Sequence, residues 1–201
     1  FNKSWFRKPI TVKSVIKSKI RKKILYIRKK KNNKNIKFSF SKVFKEIKKI
    51  ISKNKIVGGY YPVNSEVDIL EILESIEKKV GAKLSLPVIK KNNDMDFYKW
   101  SSKSLLILNK FGIPEPEEIK KVFPDVIFVP IVAFDNRLYR IGYGGGYYDR
   151  YIQKLSNKKK LFKVGIAHSC QKINKVPINK YDKKLDIIIT EKYILRWEFF
   201  F

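Results

Sequence analysis

The chain has 201 residues, of which 44% are hydrophobic and 14% aromatic; this suits one folded domain with a sizeable core and excludes disorder over most of its length. Lys and Arg number 46 against 18 Asp and Glu, a formal net charge of +28, so attraction to polyanions is built in. One Cys and one His exclude an internal disulfide and leave too few soft ligands for a protein-held zinc site.

Val12 to Lys30 reads as a helix, because Val15, Ile16, Ile20, Ile24 and Ile27 recur at helical spacing between basic residues. Lys17 and Arg21 stand on one face of it. Ser41 is placed to cap a second helix through Ile51, with Val43, Phe44, Ile47, Ile50 and Ile51 as its apolar stripe. Ile56–Tyr61 is β-branched and aromatic and runs into Pro62, the pattern of a strand. Ser65 is expected to cap a helix from Val67 to Val80, with Asp68 completing a capping box and Gly81 closing the end. Lys83–Val88 is the next strand, and Asn92–Lys103 reads as polar and irregular. The turn-rich segment Gly112–Glu118 leads to a short helix before Pro124. Asp125–Phe134 is the strongest strand; its apolar run falls far short of the about 20 residues that a helical membrane span needs. Asp135–Arg137 turns the chain and Leu138–Ile141 returns as a strand. A helix from Tyr147 to Leu155 and strands at Leu161–Ile166 and Leu185–Thr190 follow. Strands alternating with helices argue an α/β fold.

The charge is unevenly spread. Residues 1–55 hold 21 Lys and Arg against one acid, Glu46. Two readings follow: a nucleic-acid-binding arm, or a solvated helical face in a Lys-rich chain. Lys outnumbers Arg 39 to 7, whereas Arg is the residue favoured for bidentate phosphate and base recognition. No RNA-binding signature accompanies the charge, so no specific nucleic-acid partner is expected. Residues 1–11 read as a flexible basic extension. They lead into no apolar segment and so do not read as a secretory signal. With nothing that asks for an oxidising compartment, the expected location is the cytoplasm.

The most informative stretch is Ala133–Ile152. Gly142, Gly144, Gly145 and Gly146 lie directly after a strand and directly before a helix. Glycines let a ligand approach backbone amides closely, and amides at a helix N-terminus favour anions. Arg137 and Arg140 flank the loop, and Asp149 follows it, placed to hold a cation that bridges phosphate oxygens. A phosphate with magnesium suits this spacing; a tight structural turn is the other reading. The loop lacks the GK[ST] of a Walker A motif, and Tyr147 stands where a dinucleotide fold wants a small residue.

PDVIFVPIVAFDNRLYRIGYGGGYYDRY (124–151) resembles the signature of the 5-formyltetrahydrofolate cyclo-ligase family. KSKIRKKILYIR (17–28), YYPVNSEVDI (60–69), LSLPVI, MDFYKW, FGIPEP, VGIAHSCQ and VPINKYDKKLDIIITE (176–191) resemble its other landmarks, in the family's order. The resemblance implies a single three-layer α/β/α domain over residues 1–201 with a mostly parallel or mixed central sheet. It implies an ATP- and Mg²⁺-dependent ligase that closes 5-formyltetrahydrofolate into 5,10-methenyltetrahydrofolate, releasing ADP and phosphate. The family's proposed course is phosphorylation of the formyl oxygen, then attack by N10. Carried over by position, Lys17, Ser18, Lys19, Ile20 and Arg21 contact ATP. So do Arg140, Ile141, Gly142, Tyr143, Gly144, Gly145, Gly146, Tyr147 and Tyr148. Tyr61 and Glu66 line the folate site, together with Tyr143 through Tyr147. Asp149 and Asp182 hold magnesium. The partners implied are small molecules, with no membrane, and the protein is expected to act as a monomer.

Overall fold

A computed structural model describes residues 11–32, 40–90 and 94–197. The basic extension expected over residues 1–11 therefore lies, but for Thr11, outside the described residues.

Helix α1 (Val12–Asn32) and helix α2 (Phe40–Lys48) come first. Ser41 lies inside the first turn of α2 rather than ahead of it. The helix stops at Lys48, where the Ile50 and Ile51 amides both turn back on the Ile47 carbonyl. Strand β1 (Ile56–Gly58) is shorter than its expected reach to Tyr61. Helix α3 (Leu70–Ser75) begins three residues later than its expected start at Val67 and continues as a π turn over Ile76–Val80. Ser65 does not cap it: Ser65 is left-handed (φ 60°), and the Asp68 carboxylate accepts the Leu70 amide at 2.8 Å. Gly81, at φ 72°, closes the turn as expected.

Strand β2 (Lys83–Ile89) pairs antiparallel with β3 (Met95–Trp100), a strand in the stretch expected to be irregular. A small hairpin, β4 (Ile107–Leu108) and β5 (Pro114–Glu115), follows. β6 (Lys121–Val122) then stands where a short helix was expected. The long apolar run divides at Pro130, which cannot donate to a ladder, into β7 (Val126–Val129) and β8 (Ala133–Phe134). β8 folds back on β9 (Arg140–Ile141). Helix α4 (Tyr147–Ser156), β10 (Phe162–Ile166), a 3₁₀ turn (Ser169–Gln171), β11 (Ile187–Ile189) and β12 (Ile194–Arg196) complete the order.

The main sheet runs β12-β11-β10-β7-β1-β2-β3-β6. Its centre, β11 to β2, is parallel; β12 and β3 run against it, and β6, paired antiparallel with β3, runs with it. Side chains of β7 alternate between faces. Val126 and Phe128 join the core under α2 and α3, whereas Ile127 and Val129 join the core under α4. Two helical layers thus sandwich one mixed sheet, the expected three-layer α/β/α arrangement. Helix α1 lies apart, with Ile24 buried against Val132, Ala133, Ile141 and Val176. Among the described residues no helix is long and apolar enough to cross a membrane.

Phe97 of β3 is wholly buried, its ring 5.0 Å from Tyr151 and edge-on to Tyr148 at 6.5 Å. Phe97→Ala is expected to lower stability by about 3–5 kcal/mol in urea denaturation; a loss under about 1 kcal/mol would show that β3 is not a core strand.

Candidate functional site

The connection out of β1 runs through α3 to β2 on one side; the connection out of β7 runs through α4 to β10 on the other. Neighbouring parallel strands whose connections diverge leave a crevice at their carboxyl ends, the usual ligand position in open α/β sheets. The residues after β1 lead to Glu66, and those after β7 lead to the glycine loop.

Gly144 (φ 110°) and Gly146 (φ 69°) bend that loop through backbone angles that side chains disfavour, and Gly146 is the residue from which α4 starts. Helix α1 folds over it. Arg21 Nε donates to the Gly142 carbonyl at 2.7 Å, and a Cβ at Gly144 would sit 3.4 Å from the Arg21 guanidinium carbon. Burial lowers the Arg21 pKa from its ordinary value. Lys17 Nζ is 2.5 Å from Asp182, whose same oxygen accepts the Asn179 amide at 2.7 Å. Arg140, 5% exposed, donates to Asp149 at 2.9 and 3.4 Å. Asp149 Oδ1 also accepts the Lys183 amide at 3.1 Å. That bond brings the segment carrying Asp182 against the first turn of α4.

The other expected positions divide. Ser18 and Lys19 line, with Ser14, Val15 and Lys22, an open depression of about 390 Å³ on α1. Ile20 packs into the apolar cluster beneath the helix. Tyr147 is half-buried under Arg150, which lies 5.2 Å above its ring. Tyr148 packs in a T-shaped contact with Phe97. Tyr61 is half-buried, whereas its neighbour Tyr60 is buried and donates to the Val67 carbonyl at 3.0 Å. Arg137 is occupied away from the loop, forked on Asp135 and bonded to the Val176 carbonyl.

Glu66 anchors its own turn by accepting the Val63 amide at 2.9 Å, while its other oxygen is buried with no well-formed hydrogen bond, the Tyr143 hydroxyl standing near enough only to favour its charge. Asn64 and Ser65 in that turn are both left-handed (φ 51° and 60°), a conformation costing about 1–3 kcal/mol per residue. Burial raises the Glu66 pKa against the opposing pull of the Val63 amide, the Tyr143 hydroxyl and the Arg28 charge. Burial first, then the Glu66 charge, raises the pKa of Tyr60, Tyr143 and Tyr148.

Arg28 is the residue the sequence reading left without a role. It is 1% exposed and reaches Tyr143 Oη, the Asn64 carbonyl and the Ile131 carbonyl. The available signal was its register: residues 17, 21 and 28 share one helix face, and Arg21 and Arg28 are the only Arg in a Lys-rich helix.

A magnesium ion fits only in one form. Among the described residues no three His, Cys, Asp or Glu side chains gather as a metal cage, and Asp149 and Asp182 each already face a cation. Magnesium commonly binds through one or two carboxylates with phosphate oxygens and water. These two carboxylates, beside the loop, suit an ion that arrives on phosphates.

The fold and the crevice define an open-sheet α/β enzyme whose glycine loop faces a tyrosine- and glutamate-lined wall. The model of the 5-formyltetrahydrofolate cyclo-ligase family matches residues 13–191, and the chain belongs to that family of ligases. The 5-formyltetrahydrofolate cyclo-ligase of Escherichia coli (strain K12) is 31% identical over 148 residues, covering 70% of this chain and 80% of that protein. The probable 5-formyltetrahydrofolate cyclo-ligase of Schizosaccharomyces pombe is 35% identical over 134 residues, or 59% and 66%. The NMR structure of Aquifex aeolicus 5,10-methenyltetrahydrofolate synthetase superposes with a TM-score of 0.71 at 34% identity, covering 90% of this chain and 92% of that one.

Because the folded-state pKa of Glu66 lies above its unfolded value, the folded chain takes up a proton first as pH falls. Stability from this group therefore rises as pH falls through the raised pKa, and it is lowest where both states are charged. Glu66→Gln keeps an acceptor for Val63 and removes the buried charge. It is expected to melt higher than wild type at pH 8, with the advantage shrinking as pH is lowered; a variant that melts below wild type at pH 8 would contradict the assigned burial of the carboxylate.

Proposed function

We propose that the protein uses ATP, with magnesium, to close 5-formyltetrahydrofolate into 5,10-methenyltetrahydrofolate, releasing ADP and phosphate. The observation that carries this is the convergence of Lys17, Arg21 and Arg140 on a glycine-bent helix start that lies beside the Glu66 turn. Phosphoryl transfer needs positioning and charge neutralisation more than covalent help from the protein. The site offers cations on fixed elements and backbone amides at the start of α4.

A formamide oxygen is a poor leaving group. The formyl oxygen attacks the γ-phosphorus, the bond to the bridging oxygen breaks, and ADP departs. N10 then attacks the activated formyl carbon and gives up its proton. The C–O bond breaks with its electrons on phosphate, leaving the five-membered methenyl cation. Lys17 and Arg21 bind the phosphates by exchanging Asp182 and the Gly142 carbonyl for phosphate oxygens. Arg140 steadies the loop and Asp149. Glu66, with its unpaired oxygen, orients the pterin by accepting its N–H groups. Asp149 and Asp182 would hold magnesium, which would supply neutralisation of phosphate charge. The protein acts as a monomer in the cytoplasm on this reading, with the outward lysines of α1 solvated.

Mixing the protein with 5-formyltetrahydrofolate and MgATP is expected to produce the absorbance of the methenyl product. Its absence with folded protein would reject the reaction. Arg21→Ala is expected to raise the KM for ATP about 10- to 100-fold, the scale of one charge-assisted hydrogen bond, with the folate KM nearly unchanged. An unaltered ATP requirement would remove Arg21 from the nucleotide site.

A further inference from the structure

We propose that Arg28 is a positioning residue that fixes the Glu66 turn and the glycine loop relative to one another across the β1/β7 crevice, so that the formyl group meets the γ-phosphate. This rests on the reaction proposed above and assigns a residue it does not use.

The guanidinium donates from Nη1 to the Ile131 carbonyl at 3.0 Å, and from Nη2 to the Asn64 carbonyl at 2.6 Å and to Tyr143 Oη at 2.5 Å. These acceptors lie 103, 36 and 115 residues away in sequence. Asn64 belongs to the strained turn after β1, Ile131 to the exit of β7, and Tyr143 to the glycine loop. The guanidinium carbon also lies 5.8 Å from the centre of the Tyr143 ring. One planar cation thus ties together the two walls of the crevice.

Burying a full charge is costly unless geometry and hydrogen bonds compensate it, and a well-packed apolar side chain commonly serves stability as well or better. Among the described residues Arg28 has no ion-pair partner within 4.0 Å; neutral oxygens from three segments take its Nη atoms, and its Nε is buried without a partner. That arrangement is expensive as a staple and well suited to holding direction. A lysine ammonium is a point charge on a flexible stem and cannot reproduce the fork.

The test compares wild type with Arg28→Lys and Arg28→Gln in the methenyl absorbance assay, with kcat expressed per folded protein after near-UV circular dichroism and a thermal melt. Misalignment of two otherwise intact subsites is expected to lower kcat about 10- to 100-fold, with both KM values within about threefold of wild type. A purely structural role would lower the melting temperature and leave kcat per folded protein unchanged, which would overturn the proposal. Loss confined to one KM would also overturn it, by making Arg28 a simple binding group. Tyr143→Phe removes one acceptor without disturbing the core. If Arg28 acts partly through Tyr143, the combined variant is expected to be less impaired than the product of the single effects; fully multiplicative losses would contradict that link. Should both Arg28 variants fail to fold, an unchanged kcat in Tyr143→Phe overturns the proposal by itself. Wild type without turnover rejects the reaction and this role together, whereas normal wild-type turnover matched by Arg28→Lys rejects this role alone.

Discussion

The arrangement depends on one constraint: β1 and β7 lie side by side and parallel, yet the chain leaves them in opposite directions. Parallel strands require crossover connections, and here the crossovers carry α3 to one face and α4 to the other. The carboxyl ends of the two strands are therefore left without a helix between them. Two loops of quite different character meet there. The first is short and strained at Asn64 and Ser65. The second is long, doubles back through β8 and β9, and ends in the glycine bend. The β8–β9 pair holds the second loop within itself but no regular element bridges the two, so their relative placement falls to side chains, and Arg28 of helix α1 reaches both.

That explains why a helix so polar is held so firmly along one edge. Lys17, Arg21 and Arg28 turn inward, while Lys13, Lys19, Lys22, Lys23, Lys29, Lys30 and Lys31 remain in solvent. The inward three descend the crevice in order: a carboxylate at the outer end, a loop carbonyl in the middle, and three oxygens at the floor. The apolar contribution of Ile24 against Val132, Ala133 and Ile141 keeps that face turned in. Most of the positive charge of α1 is thus a solvated surface, and packing aims only three of its cations at the crevice.

The sequence made the long periodic pieces readable and the short dependent ones not. Helix α1 and strand β7 announced themselves because their patterns run over several repeats. The glycine loop did so because four glycines in five residues have few structural uses. β3 was hidden: Asn92, Asn93 and Asp94 ahead of it read as a loop, and its buried Asp96 breaks the apolar alternation. β6 is two residues long and exists only because β3 pairs with it, which no local pattern encodes; β8 and β9 are as short but fall within the strands expected over Asp125–Phe134 and Leu138–Ile141. The late start of α3 follows from the Glu66 turn, where two left-handed residues override the capping preference of Ser65. Arg28 was obscured by composition, since a basic residue among lysines has no contrast until the fold shows which face is buried.

The ion pairs in the crevice bear on how a polyphosphate would enter it. A cation waiting alone in a half-buried site would be penalised by desolvation. Lys17 and Arg140 avoid this by resting on Asp182 and Asp149, and Arg21 by resting on a carbonyl. Under the proposed reaction, phosphate oxygens would take over Lys17 and Arg21, Arg140 would keep Asp149, and Asp182, released by Lys17, would be free to hold magnesium. No charge is left without a partner, so entry requires little net desolvation. Arg28 stands outside this exchange, because its acceptors are neutral oxygens of the protein itself. It can therefore hold the floor of the crevice steady while the charges above it change hands.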